Sequence, residues 1–401
     1  MRIAAVICEF NPFHNGHAYL LGTIRKELGA DHIIAIMSGN YVQRGEPAVF
    51  DKYIRTAAAL KGDGADGYAD LVIELPTLFS TAPAGEFAQA GVKTALLSGI
   101  ADFLCFGTEE GITLRELEGY AELLDDESPE ASEYIRELLR SGYTYPKAVS
   151  RAAAFFGGGE IPGISSANNI LAAEYLRALK KYDPERRITP IAIARVGDNY
   201  SMDYSADSRY CSATYLRKIL KSSAADNLGS FIPHEAERLY RAASPVYPDA
   251  FSLVLSKVLL DAAYLGLPLE QYAGISPDIA RRLVNRADLS LSFTERVLDT
   301  KTKQYTYTRI SRALLAASIG ITDKEKASAI SEGMISYLKI LGFRRSSAGL
   351  LSLLKAAASV PVITKTADHR ELLKQEIRFS NLYYQAALSS NEYERSPVII
   401  P

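Results

Sequence analysis

The stretch RIAAVICEFNPFHNGHAYLLGTIRKEL, residues 2–28, contains most of what decides the fold. It opens with a short apolar run that reads as a buried strand. A proline-containing turn follows, and Leu20, Leu21, Ile24 and Leu28 then recur at the spacing of one helical face. Two of the chain's five histidines, His14 and His17, stand three residues apart where strand gives way to helix. A metal reading of that pair lacks further ligands at plausible spacing, so no metal site is expected. One remaining reading is that both imidazoles cap the helix. The other is a phosphate cradle: helix N-terminal N–H groups and the helix dipole favour an anion there. Gly16 would let a ligand approach the backbone, and two imidazoles could donate to phosphate oxygens.

Working outward, HIIAIMSG (32–39), LVIELP (71–76), DFLCFG (102–107) and TPIAIARV (189–196) read as further buried strands. Amphipathic helices separate them, one capped by Asp51 and another spanning 168–182. Such alternation predicts an α/β fold with a Rossmann-like parallel sheet, whose ligands sit beyond the carboxyl ends of the strands. His14, Ser38 and Gly107 all follow predicted strand ends. Residues 112–156 read as acidic-surfaced helices, an expected insertion. Past residue 230 helices dominate, with a short strand–helix–strand (ISYLKIL, SAGLLSLLKAA, VPVITK) before a last helix at 368–388. The expectation is therefore two domains, a Rossmann-like catalytic domain at 1–230 and a mainly α-helical domain at 231–401.

Composition narrows the function classes. The net charge of −2 argues against a globally basic nucleic-acid binder. The distribution is uneven, however: 22 Lys+Arg against 17 Asp+Glu from residue 231 onward, and 23 against 30 before it. A basic back half suits an anionic partner. Cys8, Cys105 and Cys211 have no zinc-ribbon spacing and do not suggest a disulfide framework. No run reads as a signal peptide or approaches the ~20 apolar residues of a membrane span, so a cytoplasmic protein without a membrane partner is expected. GDGADG (62–67) matches a dinucleotide fingerprint by letter, but it leaves a helix and enters a strand, so it reads as a turn.

His14-Asn15-Gly16-His17 after an N-terminal strand is similar to the HxGH signature of the nucleotidylyltransferase superfamily (HUP-type fold). The wider set EFNPFHNGH, MSGNYVQRGEPAVFDK, DLVIELP, FGTE, NNIL, IARVG and SATYLR, in that order, resembles the bacterial tRNA(Met) cytidine acetate ligases across essentially the whole chain. Departures are Phe10 where Tyr is usual, Leu20 where a further His is common, and a slightly longer segment before DLVIELP. The resemblance implies a ligase that activates acetate with ATP as acetyl-adenylate. It then acetylates the wobble cytidine of elongator tRNA(Met) to N4-acetylcytidine, with Mg²⁺ carried by the nucleotide.

By the same resemblance, His14 and His17 are the catalytic pair. Ile7, Cys8, Glu9, Phe10, Asn11, Pro12, Phe13, His14, Asn15, Gly16, His17, Ala18, Tyr19 and Leu20 hold ATP, with Gly107, Asn168 and Arg195 completing the site. Ser212, Thr214 and Arg217 of SATYLR are candidate phosphate contacts, although Ser212 reads equally well as a simple helix cap. The polar loop after the second strand offers Ser38, Asn40, Gln43 and Arg44 for acetate or the target base. For RNA phosphates the candidates are Arg281, Arg282, Arg286, Arg344 and Arg345, within a segment (272–386) holding 18 Lys+Arg against 10 Asp+Glu. Two other functions remain open from the residues alone. One is a nucleotidylyltransferase for a small phosphorylated metabolite, the other a non-catalytic ATP-dependent RNA-binding protein.

Overall fold

A computed structural model of the chain describes residues 1–62, 68–109, 111–125, 129–143, 145–156, 166–196, 209–222, 225–389 and 396–400. The GDGADG turn, apart from Gly62, and Gly197 of IARVG lie outside these residues.

The first half alternates as its apolar pattern dictates. In order come β1 (Ile3–Cys8), α1 (Asn15–Lys26), β2 (His32–Ser38), a hairpin of β3 (Tyr41–Val42) and β4 (Glu46–Pro47), α2 (Lys52–Lys61) and β5 (Leu71–Leu75). Then follow α3 (Thr77–Ser80), α4 (Ala84–Ser98), β6 (Phe103–Thr108), three helices α5 (Leu114–Asp125), α6 (Pro129–Arg140) and α7 (Tyr145–Phe156), α8 (Ala167–Tyr182) and β7 (Thr189–Ala194). The second half opens with helices: α9 (Ala213–Lys221), α10 (His234–Arg241), α11 (Ser252–Leu265), α12 (Pro277–Val284), α13 (Phe293–Thr300), α14 (Tyr307–Ile319) and α15 (Asp323–Ser331). It closes with β8 (Leu338–Arg344), α16 (Ala348–Ala357), β9 (Val362–Ile363), α17 (Lys374–Ala386) and β10 (Val398–Ile400).

Among the described residues the main sheet has eight strands in the order β10-β8-β5-β2-β1-β6-β7, with β9 beside β8. The pairs β1–β2, β2–β5, β1–β6 and β6–β7 are parallel; β5–β8 is antiparallel. Both faces are covered, which is why these strands are apolar throughout rather than alternating with polar residues. Along β1, Ala4 and Val6 pack on the face with α1 and α2, while Ile3, Ala5 and Ile7 pack on the opposite face with α4 and α8. The chain leaves β1 toward β2 on one side, then crosses back from β5 to β6 on the other. Strand order thus reverses at β1, where such a sheet opens a crevice at its carboxyl edge.

The boundary expected at residue 230 does not end the α/β body. The helical part runs from α10 to α15, and the chain then returns so that β8 pairs with β5 and β10 pairs with β8. Charged groups buried beneath this return hold it in place. Lys52 Nζ lies 2.8 Å from Glu74 Oε1 and donates to Ser380 Oγ at 3.0 Å, while Lys339 Nζ lies 3.0 Å from Glu74 Oε2. Glu376 of α17 accepts from both the N–H and the hydroxyl of Thr77. Two lysines on one carboxylate satisfy a charge that burial alone would make costly. Residues from both halves therefore share one core.

Candidate active site

The crevice at β1 is a cleft of about 1160 Å³. His14, the first of the paired histidines, is the N-cap of α1. Its Nδ1 accepts the Gly16 N–H at 3.0 Å, and the His14 N–H donates to Nδ1 of His17 at 3.3 Å. Capping and ligand facing thus coexist in one motif. With each Nδ1 accepting, the proton of each neutral ring is assigned to Nε2. Burial and the nearby Arg195 and Arg217 lower His14 to about 3; burial, with His14 and Arg195, also lowers His17 well below its ordinary value. Both rings are neutral at pH 7, stacked with centroids 3.8 Å apart, and both line the cleft. Gly16 is required because a Cβ there would sit 2.9 Å from Cε1 of His14.

The backbone anion site expected at α1 does not form. Asn15 N–H donates to Phe231 O, Gly16 N–H to the His14 ring, and His17 N–H to His14 O. The helix start is satisfied internally, which leaves the two ring Nε2–H groups as the free donors of this turn among the described residues. At α9 the case differs. Ser212 caps that helix by accepting from Tyr215 N–H at 3.2 Å, while the N–H groups of Ala213 and Thr214 have no acceptor among the described residues. Arg217 is fixed between Asn11 O at 2.8 Å and Thr214 Oγ1 at 3.2 Å. Its burial and the charge of Arg44 lower its pKa, against the opposing charges of Glu46 and Glu9.

Of the residues assigned to nucleotide binding, Ile7, Cys8, Glu9, Phe10, His14, Gly16, His17, Tyr19, Leu20, Gly107, Asn168 and Arg195 line the cleft, as do Ser212, Thr214 and Arg217. Asn11, Pro12, Phe13, Asn15 and Ala18 stand behind this lining. Asn11 Oδ1 accepts from Val49 N–H, Phe13 N–H donates to the Tyr240 hydroxyl, and Asn15 Nδ2 donates to Arg209 O and Ser230 O. On the opposite wall, a Cβ at Gly107 would meet Cγ of Arg195 at 3.3 Å. Asn168 donates to Glu109 Oε1 at 2.7 Å, and Asn169 accepts from Glu109 N–H at 3.0 Å. Glu109 is a cleft residue the sequence reading missed.

The loop after β2 separates its four candidates. Ser38 and Asn40 are buried and do not line the cleft. Ser38 O accepts from the buried Arg55, and Asn40 Oδ1 accepts from Lys52 N–H, so both belong to the support. Gln43 and Arg44, at the hairpin tip, do face the cleft. Gln43 is held from two sides, its N–H on Glu9 Oε1 at 2.8 Å and its carbonyl near Arg312 at 3.4 Å.

The basic residues proposed for RNA contact lie elsewhere. Arg281, Arg282 and Arg286 are exposed on and just after α12, the latter two in ion pairs with Asp278 and Asp299. Arg344 and Arg345 lie at the end of β8 that pairs with the start of β5, at the edge of the sheet opposite the cleft. The cleft instead receives Arg309, Arg312 and Lys326 from α14 and α15. These are about three hundred residues from the HNGH turn, and no local motif marks them. Among the described residues no group of three His, Cys, Asp or Glu could hold a metal ion, and no helix is long and apolar enough to cross a membrane.

The chain is similar to known proteins along almost its whole length. Residues 1–396 match the sequence model of the family described as HIGH Nucleotidyl Transferase. The tRNA(Met) cytidine acetate ligase of Acetivibrio thermocellus is 32% identical over 96% of this chain and 94% of its own length. That of Clostridium novyi is 30% identical over the whole of both chains. The crystal structure of Thermotoga maritima TmcAL bound with alpha-thio ATP superposes with a TM-score of 0.86 at 27% identity, covering both chains completely. The apo form of the same protein gives 0.88 at 26%. The chain belongs to the HIGH nucleotidyl transferase family, within its tRNA(Met) cytidine acetate ligase branch.

Proposed function

We propose that the chain joins acetate to the wobble cytidine of elongator tRNA(Met) at the expense of ATP. The observation that carries this is the pair of neutral, cap-fixed imidazoles beside Arg195 and Arg217 in a cleft at the strand reversal. That is a set of donors for phosphate oxygens, and the two thiols in the lining, Cys8 and Cys211, are kept protonated by burial. Such a site stabilises and positions rather than forming covalent enzyme intermediates. In the first step an acetate oxygen attacks the α-phosphorus of ATP, the bond to the bridging oxygen breaks, and pyrophosphate leaves with acetyl-adenylate remaining. In the second, N4 of the cytidine attacks the acetyl carbon and loses one proton, and AMP departs. The Nε2–H groups of His14 and His17 donate to the phosphate oxygens on which charge accumulates. Arg195 and Arg217 face the same oxygens, and Gly107 and Asn168 receive the adenosine. A Mg²⁺ ion would be held by the nucleotide's own phosphate oxygens, where it would offset their charge.

Gln43 and Arg44 border the place where acetate and the base meet the nucleotide. A cytidine in an anticodon loop is splayed out at modest cost, since it lies in a single strand. The reaction proceeds where tRNA is found, in the cytoplasm. The test is incubation of the full chain with ATP, labelled acetate and bulk tRNA. Label recovered as N4-acetylcytidine supports the reading. Pyrophosphate release that needs a small phosphorylated metabolite, or tRNA binding without turnover, overturns it.

A further inference from the structure

Where α14 borders the cleft, a half-buried cation has no ion-pair partner among the described residues, the nearby carboxylate Glu86 being paired with Lys326. Arg312 lines the cavity, and among the described residues no carboxylate forms an ion pair with it. Its one hydrogen bond, to Gln43 O, is long at 3.4 Å. Burial and the charge of Arg309 bring its pKa down to about 10, against a smaller opposing effect of Glu86. An incompletely neutralised guanidinium at such a depth is costly unless an anion arrives. Its backbone is also fixed: Ser311 Oγ donates to Gly45 O at 2.8 Å, and the hairpin tip packs directly on the main chain at Arg312.

From Arg312 the lining leads outward. Arg309 is exposed, its guanidinium 4.8 Å from the centre of the Tyr305 ring, and exposed Thr306 and Gln304 continue the row to solvent. Lys326 stands on the same wall but is matched by Glu86 at 2.6 Å. The nucleotide phosphates have their own partners in the imidazoles, Arg195 and Arg217. Acetate carries one charge and reacts beside those imidazoles, so it does not call for cations running out to the cleft mouth. A polyanionic strand entering from solvent does. We propose that Arg312 and Arg309 bind a backbone phosphate of the RNA strand next to the nucleotide being modified. This inference rests on the tRNA-acetylation reading above.

The experiment compares wild-type chain with Arg312→Gln and, at an exposed position where folding is not at stake, Arg309→Gln. Acetylation of tRNA(Met) is measured over a range of salt, together with acetate-dependent ATP–pyrophosphate exchange without tRNA. Each variant should raise KM for tRNA about tenfold, as loss of one charge-assisted phosphate contact does. The log–log salt dependence of tRNA binding should become shallower by about one. KM for acetate in the exchange should equal that of wild type. Wild-type KM for tRNA in both variants overturns the inference while leaving the acetylation reading standing. A raised KM for acetate also overturns it, by making this a carboxylate subsite. Absence of acetylated tRNA with the wild-type chain overturns both.

Discussion

At the scale of single residues, the HNGH turn works through tautomer control. Each Nδ1 accepts a main-chain N–H, so each Nε2–H is left as a donor toward the cleft. Gly16→Ala places a Cβ 2.9 Å from the His14 ring and must displace it. The expected result is at least a tenfold weaker ATP affinity by calorimetry, with tRNA affinity unchanged; unchanged ATP affinity would show that the ring tolerates the shift. The same burial has a pH signature. His14 titrates at about 3 when folded and near 6.5 when unfolded. Between these values the unfolded chain holds a proton that the folded chain does not. Stability is therefore lost as pH falls from 6.5 toward 3. His14→Gln should show a shallower fall of Tm over that window, and an identical fall would contradict the assignment. The turn was legible because its residue types and its place between strand and helix both showed in the sequence. What was hidden was that Phe231, far along the chain, takes the Asn15 N–H and that the His14 ring takes the next.

At the scale of elements, short-range rules held wherever a partner lay close in sequence. Asp51 caps α2 through Tyr53 and Ile54 N–H, and Ser212 caps α9. The loop after β2 defeated the sequence reading, since all four of its polar residues were equally plausible cleft residues. Arg55, buried in α2, collects the carbonyls of Glu9, Ser38, Gly39 and Phe50 and turns the start of that loop inward. Only the hairpin tip then projects into the cleft. The return of β8 depends on the charged groups under it. Lys339→Met leaves Glu74 paired with Lys52 but removes one charge-assisted contact, and the expected loss is about 1.5–3 kcal/mol in urea unfolding. A change below 1 kcal/mol would show that the lysine adds nothing to the buried pair.

At the scale of the whole molecule, the fold class was readable from alternating apolar strands and amphipathic helices. The closure of the sheet was not. ISYLKIL reads as a strand from its own residues, yet its neighbour β5 lies more than 260 residues earlier, and nothing local encodes that pairing. The same separation hid Arg309, Arg312 and Lys326. A fragment of residues 1–230 loses β8, β9, β10 and α17, exposing the edge of β5 and unburying Glu74. It should be insoluble or lack cooperative unfolding by calorimetry; a sharp transition in that fragment would restore the boundary at 230.

The central claim is that this cleft activates a carboxylate by forming a bond from its oxygen to the α-phosphorus of ATP. The most direct measurement supplies acetate labelled with ¹⁸O in both oxygens, together with ATP and tRNA(Met), and examines the released AMP by mass spectrometry. Attack by the acetate oxygen at the α-phosphorus leaves one heavy oxygen in the AMP phosphate for each acetylcytidine formed. Acetylated tRNA accompanied by unlabelled AMP, or by ADP and labelled inorganic phosphate, would contradict it.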